Sequence, residues 1–178
     1  MGKAADRFSI KKVSLGSSRM AIKSLLVLGL FLTMAAGPLW AGEKKPVKPS
    51  PKDKCPVCGM FVARYPDWFA EIVFKDGSYA VFDGAKDLFK YYFDLRRYAP
   101  SKSMADVDSV YVTDYYTLTL IDGFRAYYVI GSDVFGPMGK ELIPFGRKEE
   151  AEEFKKDHAG KHILTFTEIT PAIVKTLD

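Results

Sequence analysis

Cys55-Pro56-Val57-Cys58-Gly59-Met60 is the segment whose residue types and spacing most readily do chemistry. Two cysteines three apart across a proline-containing turn bring their thiols close together. Cys58 and Met60 are two apart, so on an extended backbone they point to the same side. Gly59 between them permits an unusual backbone angle beside a ligand. Thiolate with thioether is a soft donor set, which selects copper(I) over harder divalent ions. A disulfide or a redox pair is the alternative for the two cysteines. A redox Cys-x-x-Cys ordinarily opens a helix, and residues 61–66 (FVARYP) do not read as the start of one.

Other donors lie far along the chain. Met138 stands between Pro137 and Gly139 in a long Gly-rich loop, residues 131–139. It is a further soft ligand or an incidental methionine on a flexible loop. His158 and His162 are the two histidines. With Cys55 and Cys58 they would make a two-Cys, two-His zinc set, assembled by the fold because the sequence gap is long. One histidine could instead complete a copper site, or His158 could simply complement a helix C-terminus. Asp83, Asp87 and Asp94 surround an expected helix start, where capping and solvated acids belong. The aromatic residues Tyr91, Tyr92, Phe93, Tyr127 and Tyr128 read as packing. No Gly-rich phosphate loop, nucleophile elbow or paired hydrolytic carboxylates stand out, so the expectation is a protein that is not an enzyme.

The elements that must position these donors form two similar blocks. In the first, residues 68–74 read as a strand, Asp76-Gly77 as a hairpin turn and 79–82 as the return strand. Residues 85–98 carry Leu88, Tyr91, Tyr92 and Leu95 at helical spacing, and 109–113 form a third strand. In the second, strands 117–121 and 124–130 flank Asp122-Gly123, read as another hairpin turn. A polar helix over 147–158 follows, with Ala151 and Phe154 facing inward, then a strand over 163–166 and a short helix over 172–177. The expected fold is α+β: one domain of two ββαβ units, about 55–114 and 115–178, with antiparallel hairpins.

Residues 25–36 form an apolar run of 12 preceded by Lys11, Lys12, Arg19 and Lys23, and Ala41 offers a small residue for cleavage. That describes a secretory signal peptide, with an uncleaved N-terminal anchor as the alternative. Met20 opens a more ordinary signal than Met1. Residues 42–54 are rich in Lys and Pro and read as a linker. The formal charge of +4 is misleading, because residues 1–41 hold six Lys and Arg and one acid, leaving 20 basic and 21 acidic residues. A chain so balanced carries no basic face for nucleic acid. Two cysteines are too few for a disulfide scaffold.

Taken in order, Cys58-Gly59-Met60, Phe82-Asp83-Gly84-Ala85-Lys86-Asp87, Val129-Ile130-Gly131-Ser132, Gly136-Pro137-Met138-Gly139 and Pro144-Phe145 resemble the NosL family. These are accessory proteins of nitrous oxide reductase, and the similarity covers roughly residues 54–174. The resemblance implies the two-ββαβ fold, copper(I) binding in the periplasm or elsewhere outside the cytoplasm, and delivery to the reductase or another cuproenzyme. It implies Cys58, Met60 and Met138 as ligands. The chain departs from the family in two ways. NosL proteins are commonly lipoproteins, yet this signal has no cysteine, and Cys55 is additional to the family's single Cys before the Met. The string is also similar to the opening of YHS/TRASH-type metal modules. A copper(I) chaperone is therefore expected. A thiol–disulfide oxidoreductase and a zinc-stabilised interaction domain are the alternatives.

Overall fold

The computed structural model describes residues 45–178. The signal or anchor expected over 1–41 lies outside the described residues. Among the described residues no helix is long and apolar enough to cross a membrane.

The first unit follows from the pattern read above. Strand β1 (Ala70–Phe74) turns through Asp76-Gly77 into antiparallel β2 (Tyr79–Phe82). Gly77 takes the left-handed conformation the turn requires, with φ 87°, and the Asp76 carboxylate accepts from the Ser78 N–H. Helix α1 (Ala85–Phe93) follows, burying Leu88, Phe89 and Tyr91. The single helix expected over 85–98 is two. Asp94 breaks it, because its carboxylate accepts from the Arg97 N–H and so starts a new turn, α2 (Leu95–Tyr98). Strand β3 (Val107–Thr113) then returns along the free edge of β1.

The second block departs from expectation at its first hairpin. Strand β4 (Leu120–Asp122) pairs not with the strand after Asp122-Gly123 but with β3, giving the first sheet the order β2-β1-β3-β4. The physical reason lies at Gly123. Its N–H donates to the Val110 carbonyl, and a side chain there would collide with Val110. The buried Tyr128 hydroxyl donates to the Gly123 carbonyl. The turn is thus tied back onto β3, and the chain leaves for another sheet. There β5 (Tyr127–Ile130) is flanked by β8 (Ile143–Phe145) and β9 (His162–Thr165). Between β5 and β8 runs the Gly-rich loop, which carries a small hairpin of β6 (Phe135–Gly136) and β7 (Gly139–Lys140). Helix α3 (Lys148–Asp157) joins β8 to β9.

The two-unit reading survives with its pairing reassigned. In each unit the first strand is central, the second lies on one side, and the strand after the helix lies on the other. All these pairs are antiparallel, so the fold is α+β as expected. A short helix α4 (Pro171–Lys175) ends the chain.

Residues read as linker already touch the folded part. The Val47 N–H donates to the buried Glu71 carboxylate at 2.9 Å, and Lys54 bridges to Phe61. The main core joins both units, bringing Phe82, Leu88 and Phe89 together with Tyr128, Leu142 and Phe166. A second, smaller core holds Val129, Ile143, Phe145, Ala151 and Phe154. Ala151 and Phe154 are the inward residues of α3, as their spacing predicts. Truncating Phe154 to Ala removes a ring packed on Phe145 and Tyr115. It should cost about 3–5 kcal/mol, read as a lower urea midpoint at unchanged slope.

Candidate metal centre

The cysteine segment is held as a closed loop. The Cys55 N–H donates to the Met60 carbonyl and the Gly59 N–H to the Cys55 carbonyl, both at 2.9 Å. Gly59 has φ 80°, a left-handed angle that suits glycine and explains its place between Cys58 and Met60. The loop is followed by two tight single turns (Val62–Arg64 and Pro66–Trp68) rather than a long helix. Cys55 is buried, and Cys58 and Met60 are half-buried. Both cysteines are free thiols.

Facing them is the start of α1. Asp83 lies just before the helix and Asp87 in its first turn, and both carboxylates meet the thiols of the cysteine loop. The Cys58 thiol donates to Asp83 Oδ1 at 3.1 Å, and the Cys55 thiol to Asp87 Oδ2 at 3.3 Å. The two sulfurs and one oxygen from each carboxylate lie within 4.8 Å of one another. The carboxylates are 1% and 2% exposed, and Asp83 Oδ2 and Asp87 Oδ1 accept no hydrogen bond. Lys90 Nζ stands 3.9 Å from Asp87 Oδ1 and pairs with Asp178.

These surroundings fix the state of the thiols. Burial, the larger cause, and the adjacent carboxylates drive Cys55 far above the ordinary thiol range. Burial first, then the bonds to Asp83 and Asp87, pushes Cys58 up to about 12. A metal arriving here must displace thiol protons. A thiol–disulfide oxidoreductase needs the opposite, a thiolate favoured near neutral pH.

The second unit reaches the same helix end. Lys86, buried between Ala85 and Asp87, sends Nζ to the Met138 carbonyl at 2.7 Å and to the Leu177 carbonyl at 3.1 Å. The buried Glu141 accepts from the backbone N–H groups of Lys86 and Leu142. Burial pushes its carboxyl up to about 8 despite those bonds. A side chain at Gly84 would run into Glu141, so this glycine allows Glu141 to lie against the start of α1. The Met138 backbone is therefore tied to α1 through Lys86, while the residue stays 43% exposed.

The histidines are elsewhere. His158 closes α3, stacked on Phe154 at 4.4 Å with Nδ1 3.0 Å from Asp133 Oδ1. His162 is exposed at the start of β9. Neither is among the donors gathered around the cysteines, so the two-Cys, two-His set is not assembled among the described residues. In its place stand Asp83 and Asp87, expected from the sequence as capping and solvated acids. Only Asp94 caps. The available signal was the pair of acids flanking the helix start in Phe82-Asp83-Gly84-Ala85-Lys86-Asp87.

The NosL family model matches residues 46–174. The chain belongs to the NosL family. A relative, the copper-binding lipoprotein NosL of Stutzerimonas stutzeri, is 28% identical over 161 residues, 82% of this chain and 80% of the relative. The crystal structure of the copper chaperone NosL from Shewanella denitrificans superposes with a TM-score of 0.63 at 28% identity, covering 74% of this chain and 99% of that one. The solved relative thus shares the fold described above and is named a copper chaperone, and the curated relative is named a copper-binding lipoprotein.

The thiol environment has a measurable consequence. A Cys58 thiol raised in the folded state binds its proton more tightly folded than unfolded. Its contribution to stability is present below the unfolded thiol range, near 8.5, and is lost as pH rises toward about 12. The metal-free, reduced protein should lose stability over that window. Cys58→Ser should flatten the decline, read by thermal melts from pH 7 to 11.

Proposed function

We propose that the protein is an extracytoplasmic copper(I) chaperone. The observation that carries this reading is the half-buried Cys58 with Met60 two residues on, in a loop whose backbone bonds fix both. Family membership supports copper as the cargo. Soft sulfur donors favour the monovalent ion. Met138, anchored through Lys86 but exposed, supplies a third soft ligand from the other unit. Cys55, buried and bonded to Asp87, is a further ligand or a partner to Cys58. His158 and His162 are the least supported of the candidate ligands, because Phe154 and Asp133 occupy the first and the second is not among the donors gathered at the thiols.

A carrier must release what it binds. An open site of two or three soft ligands exchanges a metal with an acceptor more readily than a closed four-ligand cage. The exposed Met138 and half-exposed Cys58 suit such exchange. The acceptor on this reading is nitrous oxide reductase or another cuproenzyme, and no reaction is catalysed. Residues 1–41 act as signal or anchor, 42–54 as linker and 55–178 as the copper-binding domain, placing the protein in the periplasm or an equivalent compartment.

Competition against a copper(I) chelator should give a stoichiometry near one. Cys58→Ser should lower affinity by well over tenfold, and Met60→Ala or Met138→Ala by about tenfold each. Unchanged affinity in Cys58→Ser would sink the reading. Copper-loaded protein mixed with metal-free nitrous oxide reductase tests the acceptor, by copper transfer and gain of activity.

A further inference from the structure

Several cations of the folded part stand against carboxylates: Lys90, Lys102, Arg147 and Lys148 each have one. Lys140, Lys161 and His162 do not. They converge instead on one cavity of about 310 Å³, lined also by Phe135, Ile130 and Leu177. Among the described residues no Asp or Glu lines that cavity, and none of the three side chains makes a hydrogen bond or ion pair. Lysines gathered at a concave surface without a counter-charge raise a positive potential there.

The fold sets this gathering in place. Gly131 has φ 75°, and a side chain there would collide with the Lys161 stem, so the glycine lets Lys161 lie across the end of β5. Pairing of β5 with β9 puts His162 opposite Ile130. Lys140 stands directly opposite Phe135 across the β6–β7 hairpin. Phe135 is 62% exposed, the most exposed large apolar side chain among the described residues. Met138 lies in the turn of the same hairpin. Lys86 ties its carbonyl and that of Leu177, at the cavity wall, to α1. Cavity and Met138 thus share one edge of the molecule.

We propose that this cavity docks an acidic segment of a partner protein alongside Met138. Asp or Glu side chains of the segment pair with Lys140 and Lys161 and accept from the His162 ring, while an apolar side chain packs on Phe135. The volume is at the lower end for ligand pockets, room for a few side chains, and a bare anion would leave Phe135 uncontacted. Charge at such a rim steers encounter and fixes orientation. That the partner takes up the metal rests on the copper-carrier reading; the pocket and its charge do not.

The probe is a fluorescent peptide of Asp and Glu around a central Leu, followed by anisotropy with the reduced, metal-free full chain. Binding should saturate, weaken at least about tenfold in Lys140→Glu/Lys161→Glu, and weaken about threefold in Phe135→Ala. Lys140→Gln/Lys161→Gln, which only removes the charges, should weaken it at least about threefold and serves if the reversed protein fails to fold. The same reversal on α3, Lys148→Glu/Lys156→Glu, should leave affinity within about twofold. Unchanged affinity in the Lys140 and Lys161 variants overturns the proposal, as does an equal loss in the α3 control. Displacement of the peptide by equimolar inorganic phosphate marks a small-anion pocket and overturns it. Binding to phosphatidylglycerol vesicles through Lys140 and Lys161, without binding to the peptide, marks a membrane contact and overturns it too. Copper(I) affinity should be the same in Lys140→Glu/Lys161→Glu as in the wild type. A wild type that holds no copper(I) fails the chaperone reading alone, and the peptide decides the pocket.

Discussion

Asp83 and Asp87 lie four residues apart at the start of α1, each holding a cysteine thiol on one oxygen and leaving the other oxygen without a hydrogen bond. Buried acids of this kind are tolerable only where something nearby stabilises them. The first turn of a helix contributes through its dipole, the thiols through their protons, and Lys90 through its charge at 3.9 Å. The cysteine loop, the helix start and the Met138 loop are mutually dependent for that reason. Removing the helix start would leave the thiols without acceptors. Removing the loop would leave the acids facing apolar surroundings. Lys86 extends the dependence to the second unit, since it joins α1 to the Met138 and Leu177 carbonyls.

This arrangement links the state of the metal-free protein to its role. Thiols kept protonated by burial and by neighbouring acids resist casual oxidation, because the thiolate is the reactive form. They yield to a metal that binds thiolate strongly enough to displace a proton. The family to which the chain belongs includes a copper chaperone, and on the proposed reading a carrier outside the cytoplasm benefits from thiols in that condition. The same cluster accommodates the buried Cys55: its acceptor is Asp87, in the first turn of the helix that Asp83 precedes.

Much of this was legible in the residues, and the remainder was hidden for identifiable reasons. Hairpin β1–β2 was plain because Asp-Gly marks its turn between two apolar runs. Helix α3 was plain because Ala151 and Phe154 keep helical spacing amid charge. The same Asp-Gly signal misled at Asp122-Gly123, where the decisive contact is between Gly123 and Val110, thirteen residues earlier in the chain. Local turn chemistry cannot report such a contact. Cys58 and Met60 announced themselves by type. Asp83 and Asp87 did not, because an acid at a helix start reads as a cap until the tertiary fold places a thiol against it. Pairing the histidines with the cysteines failed for the converse reason: donor types matched, but the fold kept them on α3 and β9.

The central claim is that copper(I) is carried by sulfur, with Cys58 at the centre of the site. X-ray absorption at the copper edge of the reduced, copper(I)-loaded full chain tests it most directly. The account predicts a first shell of two or three sulfur atoms, with one sulfur lost or replaced by a light atom in Met138→Ala. A first shell dominated by nitrogen or oxygen, unchanged by Met138→Ala, would contradict it.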